Sequence, residues 1–119
     1  IYSGNLSKNF DFDFILNISE DGWFGKSIGP EQHFSHSIFR AIENGKYVLR
    51  SSNNGMAAII NPLGQVEEKI NYGETGFIDF EKRRNFGKTI FSSLGNKVFL
   101  LFILLYIFLV FSFNRNSDE

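Results

Sequence analysis

Two neighbouring stretches decide the fold of this chain: FILNISEDGWFGKSIGPEQHF at positions 14–34 and FRAIENGKYVLRSSNNGMAAIINPLG at positions 39–64. Short apolar runs alternate there with glycine-rich polar segments and with one segment of helical periodicity. Strands and helices that follow one another in this way are typical of a layered α/β domain. We therefore predict an α/β fold for the part of the chain before about residue 80.

The first elements follow from periodicity and from turn residues. A strand is expected over 10–18, where aromatic residues alternate with aspartates before the run becomes continuously apolar. The glycine-rich residues 19–30 are expected to form a loop. A helix is predicted over 31–46, because apolar residues recur there with helical spacing, Pro30 precedes the first turn and Gly45 suits the C-terminal end.

Further strands are predicted beyond this helix, over 47–49, 56–61 and 65–70, with a polar turn at 50–55, a second turn at 62–64 and an additional edge strand over 73–80. At most five strands and one helix would leave sheet edges unpaired and one face of the sheet uncovered. We therefore do not expect this part of the chain to fold by itself.

A long apolar run, Val98–Phe113, follows near the C-terminal end. As a helix its residues would extend roughly 24 Å, and the flanking Lys97 and Arg115 can lengthen the effective span towards a bilayer core of about 30 Å. The alternative is a buried core helix of a soluble protein, or a core strand, but a soluble core element seldom runs this far without a polar break. The sequence predicts a transmembrane helix over 98–113, a juxtamembrane connector over 81–97 and a polar tail over 114–119.

Composition excludes several kinds of site. With 12 basic and 13 acidic residues the net charge is −1, so there is no electrostatic case for nucleic-acid binding. The chain contains no cysteine, which excludes disulfides, thiolate metal sites and cysteine nucleophiles within these residues. The two histidines lack the spacing of a zinc motif, and we expect no metal or organic cofactor. Ile1 is not a natural start residue, and we expect a piece of a longer protein.

Several polar side chains could carry chemistry, and each has a simpler interpretation. Glu20 and Asp21 could supply a general base, but solvated loop acids are the preferred interpretation. His33 and His36 share a helix face, as surface or interface histidines do.

Two further groups are interpreted structurally, and one is left open. Arg40 and Glu43 are expected to form an ion pair worth a few tenths of a kcal/mol. Asn53-Asn54-Gly55 is a turn signal. The pair Trp23-Phe24 in the glycine-rich loop is either a local packing plug or part of a wall that contacts a ligand.

The motifs together are more specific than any one of them. The segments 40–44, 48–50 and 61–66 resemble the carbon–nitrogen hydrolase (nitrilase) superfamily. Within it, N-I-S-x-D-x-W-F-G at 17–25, S-I-G-P-x-Q-H at 27–33 and R-S-x-N-N-G at 50–55 resemble the apolipoprotein N-acyltransferase family. Residues 89–96 are similar to the segment that leads into that family's last membrane helix.

The resemblance implies a fold and a reaction. Residues 1–80 would be the C-terminal half of a nitrilase-type αββα sandwich, followed by one transmembrane helix. The family's enzymes move an acyl chain from a phospholipid to the α-amino group of a lipoprotein's N-terminal cysteine, through a thioester on a cysteine nucleophile with a Glu base and a Lys at the oxyanion.

The resemblance places all three catalytic residues upstream of Ile1. Ile1-Tyr2 would directly follow the family's Cys-Tyr-Glu motif, so we expect no catalytic residue in this chain and no activity from these residues alone.

The resemblance also assigns supporting residues and a cellular location. Trp23, Phe24 and Gly25 would form a substrate loop beside the acyl-chain entrance, and the scaffold around the site would include Arg40, Glu43, Asn53 and Asn54. The implied partners are a phospholipid donor and a lipoprotein N-terminus as acceptor.

The implied location is the bacterial inner membrane, in a multi-pass protein whose nitrilase-like domain is periplasmic. Local charges argue the reverse, because basic residues are concentrated before the apolar run. Upstream helices usually set topology, so we follow the family. The alternatives to the acyltransferase are a membrane-anchored nitrilase-type amidase and a non-enzymatic, tail-anchored module that lost its nucleophile.

Overall fold

The computed structural model describes residues 11–81 and 85–115, and it confirms the α/β prediction. The elements in chain order are strand β1 (Phe14–Glu20), a short 3-10 turn (Gly22–Phe24), helix α1 (Gly29–Asn44), strands β2 (Tyr47–Asn53), β3 (Ala57–Ile60) and β4 (Val66–Ile70), and helices α2 (Ile90–Leu94) and α3 (Lys97–Arg115).

The four strands form one sheet in the order β1-β2-β3-β4. Strands β1 and β2 are parallel and are connected through α1, whereas β2, β3 and β4 are antiparallel neighbours. The parallel register places Asn17 opposite Arg50 and Glu20 opposite Asn53. The polar C-terminal ends of β1 and β2 therefore lie side by side at one edge of the sheet.

The core lies between α1 and one face of the sheet. Its fully buried members are Ala41 of α1, Val48 of β2, and Ala58 and Ile60 of β3, and Ile15, Phe34 and Ile38 pack against them. Burial of Val48 and Ile60 contributes about 1.5–3 kcal/mol each and that of the alanines less, and this one-sided core is the main apolar contact of the described domain.

The opposite face of β1 is apolar and largely open. Phe14, Leu16 and Ile18 point to this face and are 43%, 57% and 77% exposed. Part of the face near β2 is covered by the segment after β4, where the ring of Phe80 lies 5.3 Å from that of Tyr47 and 6.0 Å from that of Phe14. The expected uncovered face is therefore found at β1.

Helix α1 begins and ends two residues before the predicted bounds. Pro30 lies inside the first turn, where its missing N–H would have had no helical partner. Gly45 ends the helix with φ 64°, and its N–H donates to the carbonyls of Ala41 and Ile42. The predicted glycine cap is confirmed, because this left-handed conformation suits glycine.

Three strand predictions need correction. Strand β1 begins at Phe14 and continues to Glu20, while Phe10 lies outside the described residues. Strand β2 does not end at Leu49 but runs to Asn53, because pairing with β1 extends along its whole length. The predicted edge strand over 73–80 is wrong, since this segment forms no strand and crosses the face near Tyr47 instead.

Helix α2 attaches the end of α1 to the apolar helix. The Thr89 hydroxyl accepts the N–H of Ser92 at 2.9 Å, which caps α2, and it donates to the carbonyl of Glu43 in α1. At Gly45 an added Cβ would lie 3.0 Å from the Gly87 carbonyl oxygen, so the chain passes close to this cap. These contacts fix where the connector leaves the domain.

Helix α3 is the one helix of the described residues that is long and apolar enough to cross a membrane. Its Lys97–Asn114 segment has a mean hydropathy of 2.3 and is not buried against the domain. At about 1.5 Å per residue it is close to the thickness of a bilayer core. Length and composition thus agree with the predicted membrane helix.

Candidate functional site

An ionic cluster of Asp21, His33 and Arg50 lies beneath the glycine-rich loop. Arg50 Nη2 donates to Asp21 Oδ2 at 2.7 Å, and both side chains are completely buried. The other carboxylate oxygen, Oδ1, lies 2.7 Å from His33 Nδ1. Residues from β2, the end of β1 and helix α1 therefore meet on one carboxylate.

The Nε and Nη1 groups of Arg50 are also satisfied. Its Nε donates to the carbonyl of Met56 at 3.1 Å, and its Nη1 donates to Asn17 Oδ1 at 3.3 Å and to Ser37 Oγ at 3.0 Å. The guanidinium also lies 6.0 Å from the ring centre of Phe34. A buried charge is tolerable only when it is paired and hydrogen-bonded in this way.

Asp21 is held in its ionised form. Burial alone would raise its pKa, but hydrogen bonds from His33, Arg50 and Ser52, together with the charge of Arg50, outweigh burial and leave the pKa below its usual value. An ionised carboxylate can only accept hydrogen bonds, so His33 Nδ1 carries the proton in its bond to Asp21.

The interpretation of Asp21 as a solvated loop acid is wrong, because the residue is 1% exposed. Its N–H donates to the carbonyl of Asn53 at 2.9 Å, which continues the β1–β2 pairing past the strand end. This turns the side chain inwards, towards Arg50. The overlooked signal was the strand alternation, which places the polar Asn17 and Arg50 on the same inward face as Ile15 and Val48.

We call the segment Gly22–Gly25 the aromatic loop. Its first three residues form the 3-10 turn, and Gly25 follows with φ 55°. Trp23 is 87% exposed, whereas the ring of Phe24 lies 5.6 Å from that of His33. Phe24, 41% exposed, thus makes a local ring contact, while Trp23 extends into solvent.

Glu20 connects the end of β1 to the turn between β2 and β3. Its carboxylate accepts hydrogen bonds from Asn54 Nδ2 at 3.1 Å, from the N–H of Gly22 at 2.6 Å and from Asn53 Nδ2. These bonds, with that of Asn54 the largest, hold the pKa of Glu20 below its usual value. Asn53 and Asn54 therefore hold the Glu20 carboxylate, which in turn accepts the N–H of Gly22 at the start of the glycine-rich loop.

The predicted turn at 53–55 needs one adjustment. Asn53 is the last residue of β2, so the turn itself comprises Asn54, with φ 53°, and Gly55. At Gly55 an added Cβ would lie 2.0 Å from Asp21 Oδ2. The turn therefore passes directly over the ionic cluster and requires glycine at this position.

The other singled-out residues lie apart from the loop or on the surface. Arg40 Nη2 lies 3.0 Å from Glu43 Oε2, which confirms the expected ion pair. The carbonyl of Glu43 accepts from Thr89, so this pair is located at the end of α1 that holds the connector. His36 is exposed, as expected for a surface histidine, whereas His33 is a member of the ionic cluster.

Comparison with known proteins defines the class to which this fold and cluster belong. A family model described as carbon–nitrogen hydrolase matches residues 8–82. This range contains the whole sheet, α1 and the ionic cluster. The chain belongs to the carbon–nitrogen hydrolase family.

Within that family the chain is similar to proteins named apolipoprotein N-acyltransferase. The relative from Rickettsia bellii is 45% identical over 105 residues, covering 87% of this chain and 21% of the relative. That from Wigglesworthia glossinidia brevipalpis is 41% identical over 107 residues, covering 88% and 21%. That from Vibrio parahaemolyticus is 36% identical over 120 residues, covering 99% and 24%.

These similarities confirm the resemblance that the motifs indicated. They extend beyond the hydrolase domain, since the Vibrio parahaemolyticus relative aligns with 99% of this chain. The chain itself spans between 21% and 24% of the length of these three relatives.

Proposed function

We propose that this chain is part of a membrane acyltransferase that moves an acyl chain from a phospholipid to the N-terminal α-amino group of a lipoprotein. The observation that carries the proposal is the similarity to apolipoprotein N-acyltransferases over most of the chain, at 36–45% identity in three relatives. The apolar helix α3 supports a membrane setting.

The proposed reaction proceeds in two steps. A cysteine thiolate attacks the ester carbonyl of the phospholipid, forms a thioester and releases a lysophospholipid. The α-amino group of the lipoprotein then attacks the thioester, forms the amide and returns the thiolate. Because these 119 residues contain no cysteine, the nucleophile must come from outside them, and we propose the same for the Glu base and the oxyanion Lys.

Within this enzyme the described residues would provide the scaffold and the substrate loop. Trp23 is a large aromatic side chain that is 87% exposed. Indole rings favour the boundary between water and acyl chains, where one edge remains polar. We therefore place Trp23 beside the entering acyl chain, with Phe24 and Gly25 shaping the loop and Asn53 and Asn54 holding its entrance through Glu20.

The proposed location is the bacterial inner membrane, with the hydrolase-like domain on the periplasmic side. A fusion of alkaline phosphatase after residue 80 should then be active and one after α3 inactive, whereas a fluorescent protein should give the reverse. An active phosphatase after α3 together with an inactive one after residue 80 would overturn this orientation and favour the one that the local charges indicate.

Activity is tested in the longest reading frame that contains this chain. The purified protein in detergent is given a phospholipid and a diacylated lipopeptide with a free N-terminus, and mass spectrometry follows the gain of one acyl chain. We expect Trp23→Ala to raise KM for the phospholipid at least several-fold. Phe77→Ala removes an aromatic side chain that is 86% exposed elsewhere and is the matched control.

Each outcome distinguishes a class of protein. Acyl transfer that disappears when a cysteine encoded before Ile1 is changed to serine supports the proposal. Hydrolysis of small amides without acyl transfer would favour a membrane-anchored amidase. Neither activity, together with a reading frame that encodes no upstream cysteine, would favour a non-enzymatic module.

A further inference from the structure

His33 contacts both ends of the 3-10 turn that carries Trp23. Its Nδ1 lies 2.7 Å from Asp21 Oδ1, at the residue before the turn, and its ring lies 5.6 Å from that of Phe24, the last residue of the turn. The middle residue, Trp23, extends into solvent between these two contacts. One side chain of α1 thus contacts both the residue before the turn and the last residue of the turn.

The turn lacks the support that its first residue would ordinarily give. Asp21 occupies the N-cap position, where an aspartate usually accepts a hydrogen bond from a backbone N–H of the turn. Here its side chain makes no such bond, because both carboxylate oxygens are directed to Arg50 and His33. The turn itself keeps the backbone bonds from the N–H of Phe24 to Asp21 and of Gly25 to Gly22.

The exit of the loop is also tied to the start of α1. Ser27 Oγ donates to the Phe24 carbonyl at 2.7 Å and accepts the N–H of Gly29 at 3.1 Å. An added Cβ at Gly29 would lie 2.4 Å from Phe24 Cδ1, so the Phe24 ring is seated on the first turn of the helix. Phe24 is therefore held from two sides, and His33 forms one of them.

We propose that His33 is a positioning residue for the aromatic loop. Asp21, which is held by Arg50, fixes the position of the His33 ring, and this ring contacts Phe24. His33 thereby holds Trp23 in the orientation that receives the acyl chain. The orientation of the loop is a property of this chain alone, whereas the effect of that orientation on acyl transfer rests on the proposed function.

The role of the His33 side chain can be tested by substitution. The side chain is 35% exposed, so its removal opens no sealed cavity, and Arg50 donates to Asp21 Oδ2, whereas His33 contacts Oδ1 and lies 3.4 Å from Arg50 Nη2. His33→Ala removes the contacts with Asp21 and Phe24 and the longer one with Arg50. His33→Asn keeps a donor towards Asp21 without the ring, and His33→Phe keeps a ring against Phe24 without the donor. His36→Ala, on the same helix and exposed, is the control.

Hydrogen exchange measured by mass spectrometry gives the direct readout, in the longest reading frame that contains this chain. In His33→Ala, amides of residues 22–25 should exchange about tenfold faster, as expected from the loss of a charge-assisted hydrogen bond. His33→Asn and His33→Phe should lie between this variant and the parent. Amides of β3 and β4 report whether the sheet is intact and should be unchanged, as should all amides in His36→Ala.

Unchanged exchange at 22–25 in His33→Ala would overturn the proposal. So would acceleration of the same size at 22–25 and in β3 and β4 in all three His33 variants, since His33 would then support the whole sheet. Kinetics separate positioning from general structure: KM for the phospholipid should rise about tenfold in His33→Ala, with kcat changed less and partial rescue in the other two variants. Absence of acyl transfer in the parent would contradict the proposed function but leave the exchange result decisive for the loop.

Discussion

At the scale of single residues, the Asp21–Arg50 pair is the contact on which the site most depends. Two opposite charges are completely buried 2.7 Å apart, and both make further hydrogen bonds, Asp21 with His33 and Arg50 with the Met56 carbonyl and Ser37. A pair of this kind contributes little beyond what packed apolar residues would give, but removal of one partner leaves a charge that is buried and unpaired.

Replacement of Arg50 by methionine should therefore be strongly destabilising. We expect Arg50→Met, in the longest reading frame that contains this chain, to lower the free energy of unfolding by about 3–5 kcal/mol, measured by urea denaturation. Lys69→Met replaces an exposed cation on β4 and is the control, and it should cost less than about 1 kcal/mol. Equal losses in the two variants would contradict the central position given to Arg50.

The lowered pKa of Asp21 predicts a dependence of stability on pH. The unfolded chain takes up the proton nearer the ordinary aspartate pKa of about 3.9, and the folded chain only at lower pH. The stabilisation is therefore complete above that value and is lost as pH falls below about 4 towards the folded pKa.

Comparison of variants isolates this contribution. Asp21→Asn should be less stable at neutral pH, and its unfolding free energy should fall less steeply than that of the parent below pH of about 4. Glu68→Gln alters an exposed carboxylate on β4 and is the control. Acid dependence that is equally steep in Asp21→Asn and in the parent would show that other carboxylates are responsible.

At the scale of elements, the site exists because β1 and β2 end together. Their parallel register continues to Glu20 and Asn53, and the turn after β2 then passes over the cluster. At Gly55 an added Cβ would lie 2.0 Å from Asp21 Oδ2 and 2.4 Å from Ser52 Oγ. The carboxylate cannot move away without weakening its bond to Arg50.

Gly55→Ala should thus destabilise the domain by about 1–3 kcal/mol, the usual cost of overpacking. Gly87→Ala is the matched control, since its added Cβ would meet nothing within 4 Å. That variant should be neutral or more stable by up to about 1 kcal/mol, because alanine restricts the unfolded chain. The melting temperatures of both variants, measured by thermal denaturation, test this prediction. An unchanged stability of Gly55→Ala would be inconsistent with the close approach of residue 55 to Asp21.

At the scale of the whole molecule, α3 is the helix whose insertion into a membrane can be tested. A positive charge at its centre should oppose insertion into a bilayer by about 2.5–3.5 kcal/mol, whereas one at its end can reach the interface. We expect Leu105→Arg to reduce insertion strongly in a glycosylation-reporter assay and Asn114→Arg to have little effect. Equal insertion of the two variants would argue that α3 is not a membrane helix.

The order of β1, α1, β2, β3, β4 and α3 could be predicted from local patterns alone, whereas α2 was not predicted. The helical spacing before Gly45, the strand at Ala57–Ile60 and the apolar run of α3 are each encoded within a short window. Motifs shared with acyltransferases gave the family in the same way. Bounds were wrong by two residues at α1, and β2 was too short, because pairing with neighbours outweighed the polar residues at its end.

The ionic cluster could not be predicted in this way. Asp21 is 12 residues from His33 and 29 from Arg50, and each looked like an ordinary polar residue in its own window. Only the parallel pairing of β1 with β2, with α1 packed across them, brings the three side chains to one point. The sequence by itself thus determined most of the elements, the family and an apolar helix long enough to span a membrane. The tertiary structure decided which charges are buried, because burial depends on contacts between segments distant in the chain.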